Sequence, residues 1–195
     1  MKLSRFVGLI VIIFAVSMMT FAGCSSKKHK SSRGGGGGGG AGTGSSNNPG
    51  NDPGSNPANA AQYEQDVFNM VNDERSAAGV GPLQWCDGLA ACAKAHSNDM
   101  CARGFFDHTN PDGEGPTERG QAGHAGSYTF TPIVSSPYTW IGENIAMGST
   151  TPAETMNMWM NSSGHRANIL ADFTHIGVGL CDGCGTHWTQ NFGIR

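Results

Sequence analysis

Residues 161–170 read NSSGHRANIL, a histidine directly after Ser-Ser-Gly at the start of a short helix that Ile169 and Leu170 hold down. A histidine in that position is a ligand, a base, or a hydrogen-bonded part of the core. The neighbouring segments narrow the choice. Just upstream, TPAE at 151–154 is a capping box with threonine at the N-cap and proline at the first helical position. Its helix buries Met156, Trp159 and Met160, so Glu154 has a structural role.

Two further segments share the polar, Gly-flanked context of His165. One is FFDHTNPDG, which carries His108. The other is WIGENIAMG, where Glu143 is the single acid in an apolar run. A buried carboxylate is costly unless paired or hydrogen-bonded, and two imidazoles are suitable partners. His108, His165 and Glu143 together could hold zinc or another divalent ion with positions left open for water or ligand. A hydrogen-bonded polar cluster without metal satisfies the same residues equally well.

The other histidines have simpler readings. His96 lies on the apolar stripe Leu89, Cys92, Ala93, His96, Met100 and is expected to be a hydrogen-bonded core residue. That stripe marks a helix with Asp87 as N-cap and Gly104 just past its end. A preceding helix is marked by Tyr63, Val67, Met70, Val71 and Ala78, with Gly79 as its stop. Thr117 to Gln121 form a short helix, and 123–139 read as an irregular excursion with His124 on the surface. At the C-terminus Ile176, Val178 and Leu180 alternate with His175, Gly177 and Gly179, and Trp188, Phe192 and Ile194 share a phase beyond Asp182-Gly183. Two strands around a turn follow, with His175 and His187 on the less buried face.

The first third contributes nothing to a core. Two positive charges, the apolar run 6–21 and Ala22-Gly23 make residues 1–23 an export signal. TFAGC places Cys24 where the bacterial lipobox has its lipidated cysteine, with Phe21 in place of the usual leucine. A lipoprotein carrying palmitate or a similar acyl chain at Cys24 is expected, with a plain secretory cut as the alternative. Residues 24–59 then form a Gly/Ser/Pro-rich tether spanning on the order of 30 Å. The globular part, 60–195, carries six basic against fourteen acidic side chains, a net charge of −8. Nucleic acid is excluded as a partner, since phosphate binding needs the opposite sign.

Five cysteines remain for an oxidising compartment: Cys86, Cys92, Cys101, Cys181 and Cys184. One must stay free or pair elsewhere. Cys92 and Cys101 stand about 13 Å apart along their helix, too far to bond. Cys181-Asp-Gly-Cys184 brackets a turn and could close on itself. There is no HExxH, GxSxG, P-loop or GxGxxG pattern.

Five stretches, VNDERSAAGVGPLQW, AKAHSNDMCARGFFDHTNPDG, IGENIAMGSTTPAE, MWMNSSGHRANIL and FTHIGVGL, occur in the order and spacing of the CAP superfamily, and the chain resembles its bacterial SCP-like branch. The resemblance implies an α+β domain, a three-layer α-β-α sandwich with a central cleft. It places His108, Glu143 and His165 on the cleft floor as metal candidates. It gives Ser162, three residues after Trp159, where eukaryotic members have a second glutamate. Asn72 and Arg75 match its Asn-x-x-Arg and read as scaffold hydrogen-bonders.

Two functions compete at this point. The first is a monomeric binding module, tethered to the membrane at Cys24 (the outer membrane if the source has two), that takes a small lipid, an envelope component or a protein ligand. The alternative is a divalent-metal-dependent, protease-like hydrolase in the same cleft, for which no residue remains as an obvious base once all three candidates are ligands.

Overall fold

A computed structural model of the chain describes residues 57–133 and 141–194. The expected export signal, Cys24 and most of the tether lie outside the described residues. The elements are α1 (Pro57–Ala77), β1 (Gln84–Trp85), α2 (Asp87–Arg103), α3 (Pro116–Ala122), β2 (His124–Ala125), β3 (Tyr128–Thr129), β4 (Ile141–Met147), α4 (Pro152–Met160), α5 (Ser163–Leu170), β5 (His175–Cys181) and β6 (His187–Gly193). No described helix is long and apolar enough to cross a membrane.

Strands β1, β5, β6 and β4 form one sheet in that order, with β1 parallel to β5 and the other pairs antiparallel. The alternation in β5 assigns its two faces. Ile176, Val178 and Leu180 join Val67 and Val71 of α1, Met156 and Trp159 of α4 and Ile169 of α5 in the larger core. Gly177 and Gly179 point the other way, onto α2. A Cβ on Gly177 would stand 1.9 Å from Ala90 N, and one on Gly179 would stand 2.2 Å from Lys94 N. The glycines let α2 lie directly on the sheet backbone, the close approach that isolated strand glycines permit. The result is the α-β-α sandwich, with α2 on one face and α1, α4 and α5 on the other.

Several local expectations change. Cys86, not Asp87, is the N-cap residue of α2 and makes no side-chain cap; Asp87 accepts from Trp85 Nε1 at 2.9 Å. Residue 87 is the first with helical geometry, so its carboxylate turns back to the indole. His175 and His187 are buried, 5% and 6% exposed, because helices cover both faces of the sheet and leave neither strand a wet side. The excursion after α3 contains the two-stranded β2–β3 ribbon. His124 therefore belongs to a strand, its Nε2 3.6 Å from Glu114 Oε1. Residues 134–139 of that excursion lie outside the described residues.

Other expectations appear in the structure. Gly104 ends α2 in the left-handed region (φ 66°), bonding back to Met100 O. Thr151 accepts from Glu154 N at 3.2 Å. Arg75 is buried and gathers carbonyls from two distant segments: Nε donates to Gly81 O (2.7 Å), Nη1 to Ile169 O (2.7 Å) and Ala171 O (2.8 Å). Asn72 exchanges two hydrogen bonds with Leu83. Together they tie α1 to the approach to β1 and to the α5–β5 connection.

The cysteine at the hairpin turn pairs across the fold. Cys184 bonds Cys101 at the end of α2, with Cα atoms 5.7 Å apart, rather than closing on Cys181. Among the described residues Cys92 and Cys181 are free thiols.

Candidate functional site

Glu143 leaves β4 on the side of the sheet that α2 covers, opposite Asn191 of β6. Its side chain is 1% exposed, so the charge needs partners in the protein. Arg119, buried on α3, donates from Nη2 to Glu143 Oε2 at 2.6 Å. His108 donates from Nδ1 to Oε1 at 3.0 Å. Asn191, with its amide turned to satisfy both neighbours, donates to Oε2 at 3.0 Å and accepts from Ala93 N at 3.2 Å.

Arg119 also reaches past the carboxylate. Its Nη1 donates to His108 O at 2.6 Å and to Glu114 O at 2.8 Å. One guanidinium thus fixes both the backbone of His108 and the carboxylate that grips the His108 ring. His96 adds a third hold on the same loop, donating from Nε2 to Asp107 O at 3.0 Å. With that nitrogen carrying the proton, His96 is neutral. Burial depresses its pKa to about 4, even though Glu143 pulls the other way with His96 Nε2 3.8 Å from Oε1.

His108 itself is half-buried, its side chain 49% exposed. Its pKa is raised, first by the hydrogen bond to Glu143. Nδ1 is spent on the carboxylate, and Nε2 is the ring nitrogen left for a ligand.

His165 is the third residue of α5 and is half-buried. Desolvation lowers its pKa, and the charge of His108 lowers it further. Among the described residues nothing hydrogen-bonds its ring. The α5 backbone is pinned to the edge strand: Asn144 Nδ2 donates to His165 O at 3.1 Å, and Asn168 Nδ2 donates to Glu143 O at 3.2 Å and to Asn144 Oδ1 at 2.9 Å. Ser162 is the N-cap residue of α5 but makes no side-chain cap. A concavity of about 500 Å³ lies nearby on α4 and α5, lined by Met160, Asn161, Ser163, Arg166, Ala167 and Leu170.

The sequence pairs Glu143 with two histidines, and the structure gives it one histidine and an arginine. Arg119 escaped notice because a charged residue in PTERGQA reads as the wet side of a short helix. The available signal was the buried carboxylate itself, which needs a full countercharge rather than a neutral ring.

This arrangement bears on metal binding. Both Glu143 oxygens are engaged, one by a guanidinium that disfavours a cation beside it. The nitrogens left for a divalent ion would be His108 Nε2 and the His165 ring, with Glu143 hydrogen-bonded behind His108. Among the described residues the group whose ligand atoms all lie within 4.8 Å is Cys101, Cys181 and Cys184, a spacing that could also hold a metal ion.

Comparison with known proteins agrees with the fold. Residues 68–192 match the cysteine-rich secretory protein family, CAP. The chain is 40% identical over 139 residues to the uncharacterized protein YkwD of Bacillus subtilis, covering 71% of this chain and 49% of that one. It is 30% identical over 136 residues to a pathogenesis-related protein 1 of Arabidopsis thaliana, covering 69% and 62%. The chain thus spans about half to two thirds of these relatives. Among solved structures, an extracellular SCP-domain protein from Bacillus anthracis superposes with a TM-score of 0.61 at 30% identity, covering 72% of this chain and 44% of that one. An outer surface protein from Borrelia burgdorferi shares the fold at 18% identity, TM-score 0.59, covering 69% and 93%.

Proposed function

The chain belongs to the CAP family of cysteine-rich secretory proteins, and from that premise we propose that it is an extracellular binding module. It is exported, held at the cell envelope by a lipid on Cys24, and uses the His108–His165 pair to engage a small lipid, an envelope component or a peptide, with zinc or a similar ion where one is bound.

One observation carries this reading: His108 is gripped from behind by buried Glu143 and remains half exposed in front. A ring fixed in orientation with one free nitrogen is a recognition group or a metal ligand. Held at Nδ1 by a carboxylate, the same ring can also take up a proton at Nε2, so the hydrolase reading draws on the same nitrogen. Glu143 has both oxygens engaged, by His108 and Arg119, and its side chain is 1% exposed, so it does not face a ligand directly. The hydrolase reading therefore rests on His108 Nε2, and that nitrogen cannot be metal ligand and base at once.

The test follows the ring resonances of His108 and His165 by NMR while fatty acid micelles, peptidoglycan fragments or casein peptides are added to the protein with and without zinc. Both rings should shift with one of these classes and leave it chemically intact. Cleavage of the peptide by the zinc-loaded protein, lost in His165→Ala, would establish the hydrolase instead.

A further inference from the structure

Three sulfur atoms meet where the β5–β6 turn touches the end of α2. Cys101 and Cys184 are bonded, Cys181 is a free and partly exposed thiol, and all three Sγ atoms lie within 4.8 Å of one another. A free thiol in reach of a disulfide is the reactant pair for exchange, which needs neither oxidant nor reductant.

We propose that Cys101, Cys181 and Cys184 form a thiol–disulfide exchange centre that presents Cys184 as a reactive surface thiolate able to attack a partner's disulfide, forming a mixed disulfide with one partner sulfur while the other leaves as a thiolate. The Cys181 thiolate attacks Cys101 Sγ. The Cys101–Cys181 bond forms as the Cys101–Cys184 bond breaks, and the electron pair of the broken bond leaves on Cys184. One thiolate is consumed and one released, so the step is redox-neutral.

The direction of attack follows from the surroundings of each sulfur. Cys184 is the most exposed of the three, so water stabilises it best as the leaving thiolate. His187 Nδ1 donates to Gly185 O at 3.0 Å and lies 3.9 Å from Cys184 Sγ, so its one proton would reach the departing sulfur only by turning from that carbonyl. Cys181 stands at the end of β5 directly opposite His187, so a Cys101–Cys181 bond still ties α2 to the sheet. The turn that carries Cys184 is then free to move, and Gly185, already at φ 89°, gives it a residue without side-chain constraint. Cys92 does not compete: it is fully buried, and burial pushes its thiol up to about 12.

The experiment uses the full chain, purified without reductant, held at pH 8 in thiol-free buffer, then acid-quenched, alkylated with a maleimide and mapped by mass spectrometry. The mapping should show alkylation divided between Cys181 and Cys184, with a Cys101–Cys181 peptide appearing in parallel. In Cys181→Ser, Cys184 labelling should fall at least about tenfold, because the attacking thiolate is gone. Label confined to Cys181 in the unmutated chain would overturn the proposal. So would label on Cys101 with a Cys181–Cys184 peptide, which means the attack runs the other way. Three alkylated cysteines with one zinc per chain would make the cluster a metal site.

Discussion

Arg119 and Glu143 form an ion pair at 2.6 Å in which both side chains are essentially excluded from water. A pair of this kind is costly to break from one side, because the survivor keeps its desolvation penalty without its partner. Arg119→Met should destabilise the protein by about 3–5 kcal/mol, read from urea unfolding. Pairing it with Glu143→Gln should recover part of that loss. A double variant as unstable as the single one would mean that Arg119 acts through its bonds to His108 O and Glu114 O alone.

The histidines of the site respond to pH in opposite senses. His96 has a depressed pKa, so it stays neutral in the fold while the unfolded chain takes up a proton. Its effect is a loss of stability as pH falls from about 6.5 toward about 4. His108 has a raised pKa. The stability it adds is complete below about 6.5 and disappears as pH rises through its folded value. Histidine NMR on the metal-free protein should find the His108 ring titrating above the ordinary value and His96 far below it. In His96→Gln the acid-side loss of stability should shrink.

The contact between α2 and the sheet rests on two glycines. Gly177→Ala puts a methyl group where Ala90 N already stands, and the collision is with backbone, which has no rotamer to yield. Stability should fall by at least about 1–3 kcal/mol, measured by thermal unfolding. Gly164→Ala, with nothing within 4 Å of its Cβ position, is the matched control and should change little.

Arg75 should be intolerant of even its nearest substitute. Lysine keeps the charge but cannot serve Gly81, Ile169 and Ala171 at once. Buried carbonyls left unpaired cost about 1–3 kcal/mol each, so Arg75→Lys should lower the urea midpoint well beyond a surface exchange such as Arg166→Lys.

Much of this architecture was readable in the residues, and the failures share a cause. The stripe Leu89, Cys92, His96 marked α2, and the alternation Ile176, Val178, Leu180 marked β5, because each pattern records one buried face. The same logic misplaced His175 and His187, since a sheet covered on both faces buries both phases. His108 and Glu143 were legible as partners because an acid in an apolar run needs one. Arg119 was not, because its burial arises from α3 settling over β4, a tertiary event without a local pattern. The Cys101–Cys184 bond was hidden likewise: 83 residues separate its ends, and spacing speaks only for neighbours.

The central claim is that Glu143 orients His108 from behind and the two imidazoles do the binding. The direct measurement is calorimetric titration of zinc into the metal-stripped protein and into His108→Ala, His165→Ala and Glu143→Gln. The account predicts one site in the unmutated chain, binding abolished in both histidine variants, and affinity weakened about 10–100-fold but stoichiometry kept in Glu143→Gln. Loss of binding in Glu143→Gln as complete as in the histidine variants would make the carboxylate a ligand, and unchanged binding in His108→Ala would contradict the account outright.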